Sequence, residues 1–174
     1  MAAVEFRGNL DTRLRKVRDG VVQAAILAAA GIERLGIPLE AGSHLDPSWW
    51  VPAPGQGALA VEALTDRLDV AALCEPLTDR VATAELAAER AFGTRLEGGC
   101  SVPLGCSAVA DGDRITVTGY LGSPGGRGLR ESLTGNVADA ASLGVDLAEA
   151  ILVSGGDSIL VEIEGRAAPV VEEP

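Results

Sequence analysis

Residues 80–120 run RVATAELAAERAFGTRLEGGCSVPLGCSAVADGDRITVTGY. Up to Leu96 the stretch is rich in Ala, Leu, Glu and Arg and predicts a helix over 80–96, which Gly98-Gly99 terminates directly before Cys100. Past the cysteine the apolar period changes to two. Ser107 to Ala110 and Arg114 to Tyr120 read as strands, with Asp111-Gly112 between them as a hairpin signal. Ser123 to Gly128 reads as a second turn, Leu129 to Thr134 as a third strand and Ala138 to Leu152 as a helix. Residues 80–164 therefore predict an α+β unit, a small three-stranded antiparallel sheet covered by helices, with a frayed tail from Ala167.

Toward the N-terminus the signals are shorter. Val4 to Arg7 reads as the end of a strand, Gly8-Asn9 as a turn, and Leu10 to Arg18 as an amphipathic helix closed by Gly20. Ala24 to Ala30 fits a buried strand or the start of a helix equally well, and Gly31 to Gly36 reads as a short helix with a glycine stop. Pro38 to Pro54, with Trp49-Trp50, reads as a connector. Ala58 to Ala63 then looks like a buried strand, and Val70 to Cys74 like a short helix broken before Pro76. The fold class expected for the whole chain is α/β to α+β, without internal repeats.

Composition narrows the function. The chain has 174 residues, an aromatic share of 3% and a formal net charge of -11. Such a charge repels nucleic acid phosphates and anionic membranes. The longest apolar stretch, Val21 to Ile32, is interrupted by Gln23 and is too short to cross a bilayer, and no secretory leader pattern precedes it. The expectation is a cytoplasmic protein that binds neither nucleic acid nor membrane. Cys74, Cys100 and Cys106 make no dense disulfide framework, so reduced thiols are expected.

One segment runs against the acidic balance. Between Arg7 and Arg18 stand Arg7, Arg13, Arg15, Lys16 and Arg18 against the single acid Asp11. Charge alone allows an ordinary solvated helix face or a site for a small carboxylate-bearing ligand. Cys100 sits on a glycine-flanked loop between a helix and a strand. That context suits a reachable thiol or a small hydrophobe in a tight turn. Metal binding has little to work with, since His44 is the only histidine and Cys100 and Cys106 lack a usual zinc spacing. Gly55-Gln56-Gly57 follows a proline-rich segment and precedes a strand-like run, the reverse of the context a dinucleotide loop requires.

Four ordered blocks carry a resemblance: Arg7-Gly8-Asn9-Leu10-Asp11-Thr12-Arg13-Leu14, Ala25 to Gly36, Pro52-Ala53-Pro54-Gly55-Gln56-Gly57-Ala58, and Glu97-Gly98-Gly99-Cys100-Ser101-Val102-Pro103-Leu104-Gly105. In order and spacing they resemble the motifs of the porphobilinogen deaminase (hydroxymethylbilane synthase) family, over roughly the second half of that family's usual length. The resemblance implies a thioether from Cys100 to a dipyrromethane cofactor, on which four porphobilinogen units are joined head to tail with loss of ammonia in tetrapyrrole and haem biosynthesis. It also implies that Arg7, Arg13 and Arg34 hold the carboxylates of cofactor and substrate, with hydrogen bonds from Asn9 and Gln56. Arg15, Lys16 and Arg18 are left as a solvated face, and Cys74 and Cys106 are assigned to packing.

The same resemblance implies a domain plan. Residues 1–44 would be the remainder of a doubly wound, substrate-binding α/β domain, 45–79 a connector and a strand returning to a first domain, and 80–174 the cofactor-carrying α+β domain. Two departures accompany it. Gln23 stands where the family commonly has an acidic residue, and the family's catalytic aspartate belongs to a region this sequence lacks, so no catalytic residue is nominated. The expected partners are porphobilinogen, the growing polypyrrole and the missing N-terminal half, in cis or in trans, with a monomeric full-length enzyme. The alternative is a non-catalytic module that binds tetrapyrrole precursors or other anions and retains the cysteine.

Overall fold

The computed structural model describes residues 4–38, 42–96, 102–123 and 125–166. The chain divides into two compact units, Met1–Asp46 and Pro47–Pro174.

The first unit holds helices α1 (Leu10–Arg18) and α2 (Ala29–Arg34). Asn9 caps α1 by accepting the Thr12 N–H on its Oδ1 at 2.9 Å. Ile32 of α2 is buried. Val4 to Arg7 forms no strand, and of the two readings open for Ala24 to Ala30 the strand does not form: the segment is irregular to Ala28 and enters α2 at Ala29. A strand exists only through a ladder with a neighbour. Among the described residues the only sheet lies in the second unit.

In that unit α3 (Leu68–Cys74) runs into a 3-10 turn at Glu75–Leu77, and α4 spans Arg80–Arg95, capped by Asp79, whose carboxylate accepts the Val81 and Ala82 N–H groups. The sheet follows in order β1 (Leu104–Asp111), β2 (Arg114–Gly122) and β3 (Gly128–Asn136), antiparallel throughout. Helix α5 (Ala140–Ile151) leads through a wide turn at Leu152–Gly156, kinked at Gly155, into α6 (Asp157–Arg166). The three strands and the helices α4 and α5 stand where the sequence predicts them. Helix α6 was not foreseen, and Ala58 to Ala63, predicted as a buried strand, is irregular and carries Leu59 almost fully exposed.

The core follows from two periodicities meeting. Alternate residues Ile115, Val117, Gly119 and Leu121 of β2, with Cys106 and Ala108 of β1, face the helices. Ala84, Ala88 and Phe92, four apart on α4, with Leu96 at its C-cap, form the opposing stripe, together with Ala140, Leu147, Ala148 and Ile151 of α5. Gly119 is the hollow into which the fully buried Phe92 ring fits, since a Cβ there would lie 2.5 Å from Phe92 Cε2. On the other face, the registered pairs Thr116–Thr134 and Thr118–Ser132 join hydroxyls across the strands.

Edge strand β1 has its outward N–H groups covered. The Cys106 amide donates to the Pro52 carbonyl at 2.8 Å, Ala108 to Glu89 Oε1 at 2.9 Å and Ala110 to Glu85 Oε1 at 2.8 Å. Two carboxylates one helical turn apart on α4 thus occupy an edge that would otherwise invite another strand.

Cys106 is a core residue, as its packing assignment expects. Burial first, and the Glu89 carboxylate second, push its thiol up from 9.0 to about 12. The sign is fixed by the retained proton: between these values the unfolded chain releases a proton that the folded chain keeps, so stability falls as pH rises. This one thiol should contribute a slope of about 1.4 kcal/mol per pH unit in that window and nothing below it. Urea denaturation of the chain and of Cys106→Ala at pH 8, 10 and 11 checks this, the two curves converging as pH rises. Parallel pH dependence would show that Cys106 ionises as freely in the fold as outside it. Cys74 departs from its packing assignment: it ends α3, a helix with no buried residue, and is only half-buried.

Candidate functional site

The basic cluster becomes a built turn in the structure. Gly8 adopts φ +130, and a Cβ there would meet Thr12 Cγ2 at 2.9 Å, so glycine is needed to enter α1 at this angle. Arg13 Nε donates to the Gly8 carbonyl at 2.8 Å, and Lys16 Nζ donates to the Arg7 carbonyl at 3.0 Å. Lys16 also stands 5.5 Å from the centre of the Phe6 ring, a cation–π distance. Two cations of α1, three residues apart on one face, therefore hold the Arg7–Gly8 backbone. Lys16 belongs to this turn and is half-buried, which departs from its reading as part of a solvated face; Arg15 and Arg18 are exposed as expected.

Arg7 is exposed and pairs with Glu5, both side chains lying largely in solvent at 88% and 71%. Such a pair contributes little and exchanges readily for another carboxylate. Arg34 ends α2 with its side chain exposed, in the turn where the helix dipole favours a cation. The structure thus joins Arg7, Asn9, Arg13 and Lys16 around one turn; Arg34 lies in the same unit on α2, whose Gly31 packs against Leu10. Asn9 Oδ1 is committed to capping α1, so its first role is to shape the turn.

A donor set of this kind fits a ligand bearing several carboxylates. A guanidinium carries five N–H groups, and the Arg13 bond to Gly8 uses one of them, which orients the fork and leaves the Nη protons for bidentate pairing.

In the second unit, Ala53-Pro54-Gly55-Gln56 is a tight turn closed by the Gln56 amide on the Ala53 carbonyl at 3.1 Å, with Gly55 at φ +76 as a type II turn requires after proline. Gln56 is exposed at its tip. The turn is anchored by the Gly55 amide, which donates to Glu89 Oε2 at 2.7 Å. Sequence reading missed Glu89 and Lys16; the i, i+4 spacing of Glu85 and Glu89 and the i, i+3 spacing of Arg13 and Lys16 were the available signals. Cys100 lies outside the described residues. His44 is exposed in irregular chain.

Comparison with known proteins gives two matches along the chain. Residues 1–72 match the model described as "Porphobilinogen deaminase, dipyromethane cofactor binding domain", and residues 83–153 match "Porphobilinogen deaminase, C-terminal domain". The chain belongs to the porphobilinogen deaminase family. It is 43% identical over 160 residues to the porphobilinogen deaminase of Roseiflexus castenholzii, an alignment that covers 92% of this chain and 53% of the relative. The porphobilinogen deaminase of a second Roseiflexus is 42% identical over 92% of this chain and 53% of its own length, and that of Brevibacillus brevis is 42% identical over 91% and 51%. The chain thus spans about half the length of these curated relatives. Arg7, Asn9, Arg13, Arg34 and Gln56 fall within the stretch matched by the family's cofactor-binding model, and Cys100 within the stretch matched by its C-terminal model.

Proposed function

We propose that this chain is the part of a hydroxymethylbilane synthase that carries dipyrromethane on Cys100, and that it works together with the half of the relatives' length it does not span. Family membership supports the chemistry, and the Arg7–Arg13 turn is the observation that carries the binding role. Each condensation joins the aminomethyl carbon of one porphobilinogen to a pyrrole carbon at the end of the growing chain; the nitrogen leaves as ammonia and the pyrrole carbon loses its proton. Bound dipyrromethane supplies the first reactive pyrrole carbon. Cys100 would hold it through sulfur, Arg7, Arg13 and Arg34 would bind acetate and propionate groups, and Asn9 and Gln56 would add hydrogen bonds. The acid that moves protons would come from the remaining half.

The segment after the Gln56 turn supports that division. Helix α3 buries no residue, and Leu59, Leu64, Leu68, Leu73 and Leu77 stand exposed, Leu59 at 93% and Leu73 at 77%. A seven-residue helix is too short to hold alone in water, so these side chains call for a cover. We assign residues 1–44 to a doubly wound substrate domain, 45–79 to a connector returning to a first domain, and 80–174 to the domain carrying Cys100, in a monomeric full-length enzyme. No described helix is long and apolar enough to cross a membrane, and Cys74 and Cys106 are free thiols, in keeping with a cytoplasmic location.

The test is reconstitution. This chain joined to the complementary half of a family member should convert porphobilinogen to hydroxymethylbilane, while the chain alone should not. Arg7→Gln, Arg13→Gln or Arg34→Gln should each impair the joined enzyme by about 1.5 to 3 kcal/mol per lost charged contact, and Arg18→Gln should not. Turnover by the isolated chain, or equal wild-type kinetics in all four variants, would sink this reading.

A further inference from the structure

Resting on the reading of the Gln56 turn as part of the pyrrole-binding site, we infer that Glu89 is the positioning residue that fixes this turn to the sheet. Its carboxylate lies between two elements far apart in sequence, Oε2 accepting the Gly55 amide at 2.7 Å and Oε1 the Ala108 amide of β1 at 2.9 Å. Both bonds are part-buried, so neither amide is readily satisfied by water instead. The surrounding geometry points the same way. Pro52 accepts the Cys106 amide, and a Cβ on Gly105 would lie 2.5 Å from the Val51 carbonyl oxygen, so the backbone of 51–52 lies directly on β1. Pro54 approaches Gly93 of α4, and Leu86 of α4 lies 3.3 Å from the position of a Gly55 Cβ. Residues 51–55 are thus laid along the outer edge of β1 and the flank of α4, and Gln56 projects from the end of that docked segment. Glu89 is the only side chain among the described residues seen to hydrogen-bond the turn. Glu85, one turn earlier on α4, accepts from Ala110 and, among the described residues, shows no hydrogen bond to the segment, which makes it an internal control.

Amide hydrogen exchange on the full chain reads the clamp directly. In Glu89→Ala, and in the milder Glu89→Gln, whose side-chain NH2 opposes one of the two amides, exchange at Gly55 or Ala108 should rise roughly tenfold with β2 amides unchanged. Glu85→Ala should speed Ala110 and leave Gly55 alone. Gly55 and Ala108 rates within about twofold of wild type in both Glu89 variants would overturn the clamp. In the joined enzyme, Glu89→Gln should raise KM for porphobilinogen with kcat little changed, because it misplaces a binding group rather than the reacting atoms, whereas a folding defect would lower kcat through the active fraction. Gln56→Ala should do the same, and the double variant should be no worse than the more severe single one. Additive effects would overturn the positioning role. A joined wild-type enzyme without turnover would instead refute the pyrrole-site reading, leaving the clamp to be decided by exchange alone.

Discussion

Gly144→Ala should destabilise the chain by about 3 kcal/mol, the upper end of the cost of overpacking, although the same change in an open helix position stabilises. Gly144 lies in α5 where it crosses α4, and a Cβ there would stand 2.1 Å from the Ala88 carbonyl oxygen and 2.9 Å from its carbon. The obstruction is backbone inside a helix and has no rotamer to change, so relief requires the two helices to separate. Separation would loosen the contacts of Ala88, Phe92, Leu147 and Ala148, all fully buried. Gly165→Ala on α6 is the counterpart: nothing lies within 4 Å of its Cβ position, and that change should stabilise by up to about 1 kcal/mol. Urea midpoints at unchanged slope measure both. Equal, small stabilisation in the two variants would mean that α4 and α5 do not approach as closely as described.

Helix α1 stands where the sequence placed it, Leu10 to Arg18, and which strands were legible comes down to where the ladder partners are. β1, β2 and β3 follow one another along the chain, so each strand signal had its neighbour nearby and the alternation of Ile115, Val117 and Leu121 could be read against a local partner. The same reasoning failed at Val4 to Arg7 and Ala58 to Ala63. Both have strand-like composition, yet among the described residues the unit of Val4 to Arg7 holds no sheet, and in the unit of Ala58 to Ala63 the β1 edge already has its amides taken by Pro52, Glu89 and Glu85. Helix α6 was missed because Gly155-Gly156 reads as a stop, whereas the chain only kinks there, Gly155 taking φ +110 before the helix resumes at Asp157.

The candidate site divides the same way. Clustered charge drew attention to residues 7–18, the family resemblance singled out Arg7 and Arg13 among them, and Gly8-Asn9 was readable as a turn. What sequence did not reveal is that Arg13 and Lys16 hold that turn by their side chains, since a bond from a side chain to a carbonyl five or nine residues back leaves no pattern in composition. Glu89 was hidden for a related reason: in an Ala, Leu, Glu and Arg helix a glutamate looks like any solvated one, and only the fold brings Gly55 and Ala108 to its two oxygens.

The largest chemical effect is expected at Cys100. When this chain is joined to the complementary half of a family member, peptide mass spectrometry should find the dipyrromethane mass on the peptide containing Cys100, and Cys100→Ser should abolish it, because a serine hydroxyl is a far weaker nucleophile than a thiolate near neutral pH. In the sequence, Glu97-Gly98-Gly99-Cys100 places two residues without side chains directly before the sulfur. The other sulfurs lack what the reaction needs. Cys106 has no exposed surface, and burial with the neighbouring Glu89 pushes its thiol to about 12, so near neutrality it is neither reachable nor ionised. Cys74 is half-buried at the end of α3, and on the proposed reading the part that covers the exposed leucines of this helix would shut it away from substrate. Cys106→Ser and Cys74→Ser should therefore keep the adduct at full stoichiometry. An adduct that survives Cys100→Ser, or maps to either of the other two, would mean that the thioether forms elsewhere.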